Sequence, residues 1–217
     1  MKIVSVILAR GGSKGIPKKN ITKLSGIPLI AYTILASKNS TVSETWVSTD
    51  CKEIAKASSE LGANVLMRPS NISEDTSSSE EALLHFANNV YFDILVFIQP
   101  TSPLLSPKYI DKGLNMMNGS FNHSYDYDSV FSAYKEHWYP RWTKQFKPNN
   151  WDINNRPRRQ DVEELYVENG AFYITTKKNL LKSKLRYSGN IGIVEMPLWR
   201  SFQVDTLEDL KLIGKIS

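Results

Sequence analysis

The stretch IVSVILARGGSKGIPKKN, residues 3–20, is the part of the sequence that most clearly indicates the fold. Its first six residues are apolar apart from Ser5, which is typical of a buried strand. The glycines that follow allow backbone N–H groups to face an anion, and basic side chains add positive charge: Arg10, Lys14, Lys18 and Lys19. The spacing matches neither the Walker loop nor the Rossmann Gly-x-Gly-x-x-Gly pattern. A strand followed by a phosphate-binding loop is therefore predicted, and a solvated basic loop is the alternative.

Strand-like and helix-like stretches alternate along the rest of the chain. Residues 94–98, ILVFI, are apolar at every position, as expected of a central parallel strand covered on both faces. Further strands are predicted at 45–48, 64–67, 129–133, 170–174 and 191–194, and helices at 28–38, 52–61, 80–89, 107–117 and 207–216. This alternation predicts an α/β fold with three α/β/α layers, Rossmann-like, around a mostly parallel sheet. Ligands then bind beyond the carboxyl ends of the strands, after Leu8, after Ile98 and near Asp205.

Composition restricts the class of protein without deciding its function. The chain has 217 residues, 41% hydrophobic and 23% charged, which is typical of one globular domain and argues against disorder or a coiled coil. The net charge of +5 suits an anionic small molecule as well as a nucleic acid. One cysteine, Cys51, excludes an internal disulfide, and the three histidines lack metal-binding spacing. The apolar residues 3–9 are too short to span a membrane, and a cytoplasmic protein is expected.

Residues 135–164 form a long stretch with little periodicity, rich in Trp, Pro, Asn and Arg. A segment of this kind in a compact domain is usually functional or covered by a partner chain. Its aromatic and basic side chains are Trp138, Tyr139, Trp142, Trp151, Arg156, Arg158 and Arg159. These residue types suit base stacking on RNA and a dimer interface equally well.

The glycine-rich loop closely resembles the signature of the acylneuraminate cytidylyltransferases, which make CMP-activated nine-carbon keto sugar acids. Three further stretches resemble that family in the same order: FIQPTSPL at 97–104, RPRRQD at 156–161 with ENGAFY at 168–173, and VDTLEDL at 204–210. Together they cover nearly the whole chain. The resemblance implies one nucleotidyltransferase domain, residues 1–217, with a protruding dimerisation and sugar-capping segment at about 135–168.

The same resemblance implies an activity and its partners. CMP would be transferred from CTP to the anomeric hydroxyl of a sialic-acid-like nonulosonic acid, with release of pyrophosphate, in a homodimer that binds neither nucleic acid nor membranes. One alternative is the same chemistry on 3-deoxy-manno-octulosonate. Others are a nucleotide-sugar-dependent glycosyltransferase, which would more often show a mid-chain Asp-x-Asp, and a non-catalytic nucleotide- or RNA-binding module.

Nucleotide-binding residues follow from the resemblance. The glycine-rich loop would hold the triphosphate through Ala9, Arg10, Gly11, Gly12, Ser13, Lys14 and Lys19. Asn20 and Arg68 would read the cytosine edge with help from a serine among Ser77, Ser78 and Ser79, of which Ser78 and Ser79 are retained as candidates. The alternatives are a surface position for Arg68 at a strand end and a helix N-cap near Ser79.

Sugar-binding residues are implied in the same way: Gln99, Thr101, Ser102, Arg159, Gln160, Asn169, Gly170 and Tyr173. Asn169 and Tyr173 are four residues apart in a predicted strand, so one common face is expected. Arg159 would reach the sugar carboxylate from the neighbouring subunit. Gln99 would act beside the α-phosphate, and a polar strand terminus is its alternative. Leu105 stands where many relatives have arginine.

Mg²⁺ is the expected cofactor, with Asp205 as its ligand, and the catalytic set is Arg10, Lys19, Gln99 and Asp205. Family members often carry Asp-x-Asp here, whereas this chain has Gln203 in the first position. Mg²⁺ keeps water ligands and takes phosphate oxygens, so one aspartate suffices for one ion, and a second ion is left open. The alternative for Asp205 is a capping box with Glu208 at a helix start.

Overall fold

The computed structural model describes residues 1–13, 15–117 and 127–216. The strands are β1 (Ile3–Leu8), β2 (Lys23–Leu24), β3 (Ile27–Pro28), β4 (Glu44–Thr49), β5 (Asn64–Met67), β6 (Ile94–Ile98), β7 (Ser129–Lys135), β8 (Tyr166–Thr176) and β9 (Ile191–Glu195). The helices are α1 (Leu29–Lys38), α2 (Lys52–Glu60), α3 (Ser79–Asn89), α4 (Pro107–Met117), α5 (Lys177–Ser183) and α6 (Leu207–Ile213).

Seven of the described strands form one sheet in the order β5-β4-β1-β6-β8-β7-β9. Strands β5, β4, β1 and β6 are mutually parallel, and β7 is parallel to β9. Strand β8 is antiparallel to both of its neighbours, β6 and β7. The predicted mostly parallel sheet is confirmed, with this one reversal.

The sheet has a hydrophobic core on each face, which gives the three predicted layers. Helices α1, α2 and α4 pack on one face, where Ile34, Ile54 and Ile110 are buried. Helices α3 and α5 pack on the other, where Phe86 and Leu180 are buried. Residues of β6 alternate between these two cores, and all five are buried, which is why every position of that strand is apolar.

Two elements of the fold were not predicted. Strands β2 and β3 pair as a small hairpin whose turn residues, Ser25 and Gly26, have φ of 48° and 85°. Helix α5 follows β8 directly, and Thr176 accepts a hydrogen bond from the Asn179 N–H at its start.

Residues 136–165 leave the sheet between the end of β7 and the start of β8. The backbone N–H of Glu136 donates to the carbonyl of Leu165 at 2.8 Å and closes the base of this excursion. Large apolar side chains are exposed along it: Tyr139, Trp142, Phe146, Ile153 and Leu165. The dimerisation and sugar-capping role of this segment stays a prediction. No helix among the described residues is long and apolar enough to cross a membrane.

Candidate active site

Two open clefts lie side by side at the carboxyl ends of the parallel strands. The first cleft, about 570 Å³, lies between the glycine-rich loop and residues 68–79. The second cleft, about 530 Å³, lies between the start of β8 and residues 198–209. Both are lined by Gln99, Gln203 and Asp205, so the two clefts meet at these three side chains.

The glycine-rich loop borders the first cleft and is packed too tightly for larger residues at two positions. Gly11 donates its N–H to Asp50 Oδ1 at 2.8 Å, and a Cβ there would lie 2.9 Å from the Cβ of Cys51. A Cβ on Gly15 would lie 2.6 Å from the Asp205 carbonyl oxygen. The loop is thereby fixed against the segment that carries Asp205.

The predicted loop residues do not all face the first cleft. It is lined by Arg10, Gly12, Ser13 and Lys19, whereas Ala9 is fully buried and donates its N–H to the carbonyl of Ser48. Lys14, also predicted to bind the triphosphate, lies outside the described residues.

Arg10 spans the opening of the first cleft. Its Nη1 donates to the Glu74 carbonyl oxygen at 2.9 Å, and its Nη2 lies 2.7 Å from Asp75 Oδ1. The guanidinium is about one-third exposed. A phosphate bound in the cleft would compete with these two oxygens for the same N–H groups.

Asn20 and Arg68 lie deeper in the first cleft, and both are buried. Asn20 Nδ2 donates to the Arg10 carbonyl oxygen at 3.0 Å, whereas its Oδ1 is buried without a hydrogen-bond partner among the described residues. Arg68 donates from Nε to Ser73 Oγ at 3.0 Å, and burial lowers the pKa of its guanidinium. The surface alternative for Arg68 is therefore wrong, since only 7% of the residue is exposed.

All three candidate serines line the first cleft. Ser77 Oγ accepts a hydrogen bond from the Glu74 N–H at 3.1 Å. Ser78 is the N-cap of α3, because its Oγ accepts from the Glu81 N–H while the Glu81 carboxylate accepts from the Ser78 N–H. The expected N-cap near Ser79 is confirmed one residue earlier.

A chain of polar contacts crosses the boundary between the clefts. Thr101 Oγ1 donates to Gln203 Oε1 at 2.9 Å, and Gln203 Nε2 donates to the Asn169 carbonyl oxygen. Gly170, with φ of +68°, leaves room for this amide, since a Cβ there would lie 2.6 Å from Gln203 Nε2. Gln203 is thus fixed at both ends of its amide, and Gln99 lies beside it.

Ser102, a predicted sugar-binding residue of the second motif, belongs to the interior, and so does Leu105, which follows that motif. Ser102 is 1% exposed and lines neither cleft, and its Oγ has no hydrogen-bond partner among the described residues. Leu105 packs in the same core as Ile110 and is buried.

The expected common face for Asn169 and Tyr173 is wrong. The β7–β8 register shifts between Phe131 and Ala133, so β8 carries a bulge around Gly170 that breaks the two-residue alternation. Asn169 Oδ1 accepts a hydrogen bond from Ser132 Oγ at 2.6 Å, and Asn169 lines the second cleft. Tyr173 points to the opposite core, stacked on Phe97, and lines neither cleft.

Arg159 and Gln160 lie outside both clefts of this chain. They belong to a short 3-10 helix, Arg159–Asp161, whose side chains are exposed. Sugar binding by both residues stays a prediction, as does the contact of Arg159 with the sugar of a neighbouring subunit.

Asp205 lies at the meeting point of the clefts, with its side chain 70% exposed. Lys19 Nζ donates to Asp205 Oδ1 at 3.0 Å and to the Val204 carbonyl oxygen at 3.1 Å. The capping box of α6 consists of Thr206 and Asp209, so the predicted box between Asp205 and Glu208 is wrong.

Whether Mg²⁺ fits here depends on the oxygen ligands that the side chains around Asp205 offer. Among the described residues, no cluster of three or more His, Cys, Asp or Glu side chains forms a protein-only metal site. Asp205 is an exposed carboxylate that is paired with Lys19 and faces both clefts, which suits an ion that also takes water and phosphate oxygens. The Gln203 amide is already engaged with Thr101 and Asn169.

Sequence reasoning missed two acidic residues that line the second cleft, Asp209 and Glu168. Glu168 precedes Asn169 in the third motif and lines the cleft together with Tyr134 and Ser201. The signal was present, since ENGAFY was identified as a motif, but its first residue was passed over.

Relatives and solved structures agree with this architecture. The chain is 40% identical over 212 residues to N-acylneuraminate cytidylyltransferase A of Danio rerio. This alignment covers 94% of this chain and 48% of that protein. It is 34% identical over 230 residues to CMP-N,N'-diacetyllegionaminic acid synthase of Legionella pneumophila, with 100% of this chain and 96% of that protein covered. The structure of CMP:2-keto-3-deoxy-manno-octonic acid synthetase complexed with CTP matches with a TM-score of 0.75 at 20% identity, covering 100% of this chain and 98% of that chain. At 20% sequence identity, this structural similarity supports the fold alone.

The chain spans about half the length of the N-acylneuraminate cytidylyltransferases that it matches. The legionaminic acid synthase, in contrast, is covered almost completely. A family model described as cytidylyltransferase matches residues 4–215. The resemblance in the four sequence motifs is therefore confirmed, and the chain belongs to the cytidylyltransferase family.

Proposed function

We propose that this protein transfers CMP from CTP to the anomeric hydroxyl of a nonulosonic acid and releases pyrophosphate. The observation that carries the proposal is the pair of adjoining clefts, which share Gln99, Gln203 and Asp205. A reaction between two bound substrates needs their reacting atoms to meet at such a boundary. Relatives named for acylneuraminate and diacetyllegionaminate chemistry support this choice of substrates.

The polar groups of the first cleft match a cytosine ring. The Nδ2 bond to the Arg10 carbonyl fixes the Asn20 amide, so its unpaired Oδ1 is the atom offered to a ligand. The exocyclic amino group of cytosine would satisfy that acceptor, while the Arg68 guanidinium would donate to the ring's own acceptors. Uracil presents a carbonyl in place of the amino group and would face Asn20 Oδ1 oxygen to oxygen.

The triphosphate would lie along the glycine-rich loop. Arg10 would exchange Glu74 and Asp75 for phosphate oxygens, and Ser13 and Lys19 would donate from the same side. By resemblance Lys14 joins them. These donors cancel the repulsion between two anionic substrates and polarise the α-phosphate.

The chemical step belongs to the boundary of the clefts. The anomeric hydroxyl would attack the α-phosphorus and lose its proton to water, and pyrophosphate would leave on the opposite side. Gln99 and Lys19 would hold the α-phosphate in position. Asp205, with phosphate oxygens and water, would hold one Mg²⁺. When bound, Mg²⁺ neutralises the phosphates and stabilises the leaving pyrophosphate.

We further propose that the protein acts as a homodimer. The exposed aromatic surface of residues 136–165 is extensive for a monomer and is typical of an interface. A second subunit would cover it and would bring Arg159 to the sugar carboxylate of the partner's site. Dependence on CTP and the single cysteine suit the cytoplasm.

The eight-carbon sugar 3-deoxy-manno-octulosonate remains the second candidate substrate. It is favoured by the likeness to the synthetase of the corresponding octonic acid. That likeness rests on 20% identity, whereas the relatives named for nine-carbon acids are 34% and 40% identical. The nonulosonic acids are therefore preferred.

Pyrophosphate release tests the whole proposal. CTP, UTP, ATP and GTP are each combined with N-acetylneuraminate, its deaminated analogue, legionaminate, pseudaminate and 3-deoxy-manno-octulosonate in the presence of Mg²⁺. We expect release with CTP and at least one nine-carbon acid. A preference for ATP or GTP, or activity confined to the eight-carbon acid, contradicts the assignment.

A further inference from the structure

Glu168 is an acidic side chain in a cleft that should receive an anion. It lies near the start of β8, opposite Ala133, and lines the second cleft with Asn169 and Tyr134. A carboxylate that faced the carboxylate of the sugar would repel it. A useful role for Glu168 would therefore involve other groups of the sugar, such as its hydroxyl and N–H groups.

The orientation of this carboxylate is set by two phenols. Tyr173 Oη donates to Glu168 Oε1, and Tyr187 Oη lies 3.5 Å from Glu168 Oε2. Burial of the Tyr173 phenol and its bond to Glu168 raise the pKa of Tyr173, so it stays a donor. Glu168 itself is exposed, so each oxygen keeps a lone pair for a ligand in the cleft.

A second layer holds the phenols in turn. The Tyr173 ring stacks on Phe97 with centroids 5.5 Å apart, and the Tyr187 ring lies 5.9 Å from the Tyr173 ring. The Arg186 guanidinium lies 5.1 Å from the Tyr173 centroid and is paired with Glu80 of α3 at 2.6 and 2.9 Å. A carboxylate supported in this way is pre-organised, which favours a binding role over a solvated surface position.

We propose that Glu168 is a specificity-determining residue that accepts hydrogen bonds from the hydroxyl or acylamido N–H groups of the sugar. This inference rests on the proposed function. Because Glu168 repels the sugar carboxylate and attracts N–H and O–H donors, the sugar binds with its carboxylate directed away from β8. Tyr173 thus acts behind the cleft, as a positioning residue for Glu168.

Glu168→Gln tests the role with little change of shape. The KM for the sugar should rise about tenfold or more, as expected when a hydrogen bond to a charged group is lost, while the KM for CTP changes less than about twofold. Tyr173→Phe should raise the sugar KM in the same direction, and the double variant should be no worse than Glu168→Gln alone. Glu60→Gln removes an exposed carboxylate of α2 remote from both clefts and should match wild type.

The outcomes separate this inference from the proposed function. An unchanged sugar KM in an active Glu168→Gln enzyme overturns the role of Glu168 and leaves the activity standing. A lower melting temperature together with a rise in the KM for both the sugar and CTP means that Glu168 only supports the fold. That result also overturns the proposed role of Glu168. Saturation-transfer NMR with each free sugar gives a readout without turnover. A wild-type protein that neither binds nor converts any of these sugars refutes the proposed function and this inference together.

Discussion

Asp205→Asn is expected to reduce activity steeply while the stability of the fold stays almost unchanged. Asp205 lies where the two clefts meet, and its one ion pair among the described residues is with Lys19, at 3.0 Å. Thr206 and Asp209 form the capping box of α6 without it. Asparagine keeps the shape of the side chain and removes its charge, so this substitution isolates the electrostatic role.

The expected magnitudes differ widely for the two properties. An ion pair as exposed as Lys19–Asp205 contributes ~0–1 kcal/mol to stability. In a chain of this size ~1 kcal/mol corresponds to about 2–4 °C in melting temperature, so the shift should stay below that range. A neutral amide is a poor Mg²⁺ ligand, and the loss of one pre-organised electrostatic group costs about 10²–10³ in rate.

Thr206→Ala is the matched control at the next residue. Thr206 Oγ1 accepts from the Asp209 N–H at 3.2 Å and donates to Asp209 Oδ2 at 2.9 Å. Loss of such a cap destabilises a protein by about 1 kcal/mol, which should lower the melting temperature by about 2–4 °C. Since Thr206 lines neither cleft, activity per folded molecule should match wild type.

The assay is pyrophosphate release from CTP and an accepted sugar across a Mg²⁺ titration, with melting curves of the same samples. Asp205→Asn should recover part of its activity at high Mg²⁺, because weaker binding is offset by mass action. Near-wild-type activity of Asp205→Asn at every Mg²⁺ concentration would refute the metal role. So would a drop in melting temperature equal to that of Thr206→Ala with activity retained.

Three further predictions follow from the same geometry. Arg159→Ala and Lys19→Ala chains, each nearly inactive alone, should regain part of the activity when mixed, since one of two shared sites is then intact; no recovery despite proven subunit exchange contradicts sharing. Gln203→Asp removes the donor to the Asn169 carbonyl, so the melting temperature should fall and the Mg²⁺ dependence should stay unaltered; a tighter dependence means that the new carboxylate reaches the ion. Gly15→Ala places a Cβ 2.6 Å from the Asp205 carbonyl oxygen and should raise the KM for CTP. Gly12 has open space around it, so Gly12→Ala should leave the melting temperature unchanged.

The layers of the fold could be predicted because each depends on a local pattern. The run at 94–98 is apolar throughout because β6 has a hydrophobic core on both faces. A tight loop after β1 could be predicted because glycines directly follow the strand, and the structure gives two of them close contacts. The helix start near Ser79 carried its own capping signal, with Glu81 three residues after Ser78.

Other features depend on contacts between residues far apart in sequence. The bulge of β8 depends on its pairing with β7. Alternation within ENGAFY gave no indication that Asn169 lines the second cleft while Tyr173 packs against Phe97 in a core. At the start of α6, two overlapping capping patterns were available, and only the structure distinguishes Thr206–Asp209 from Asp205–Glu208. In each case the sequence offered the right residue types and left the geometry open.

The reversed direction of β8 explains how the second cleft comes to adjoin the first. In a parallel strand, the residues at the ligand edge of the sheet are the last ones, as Leu8 is for β1. Because β8 is antiparallel to β6, its first residues lie at that edge, and Ile98 pairs with Phe172 close to the bulge. Glu168, Asn169 and Gly170 therefore line the same cleft as Gln99, whereas the loop after β1 borders the first cleft. If the proposed function holds, substitutions at Glu168 should change the sugar preference and leave the preference for CTP unchanged.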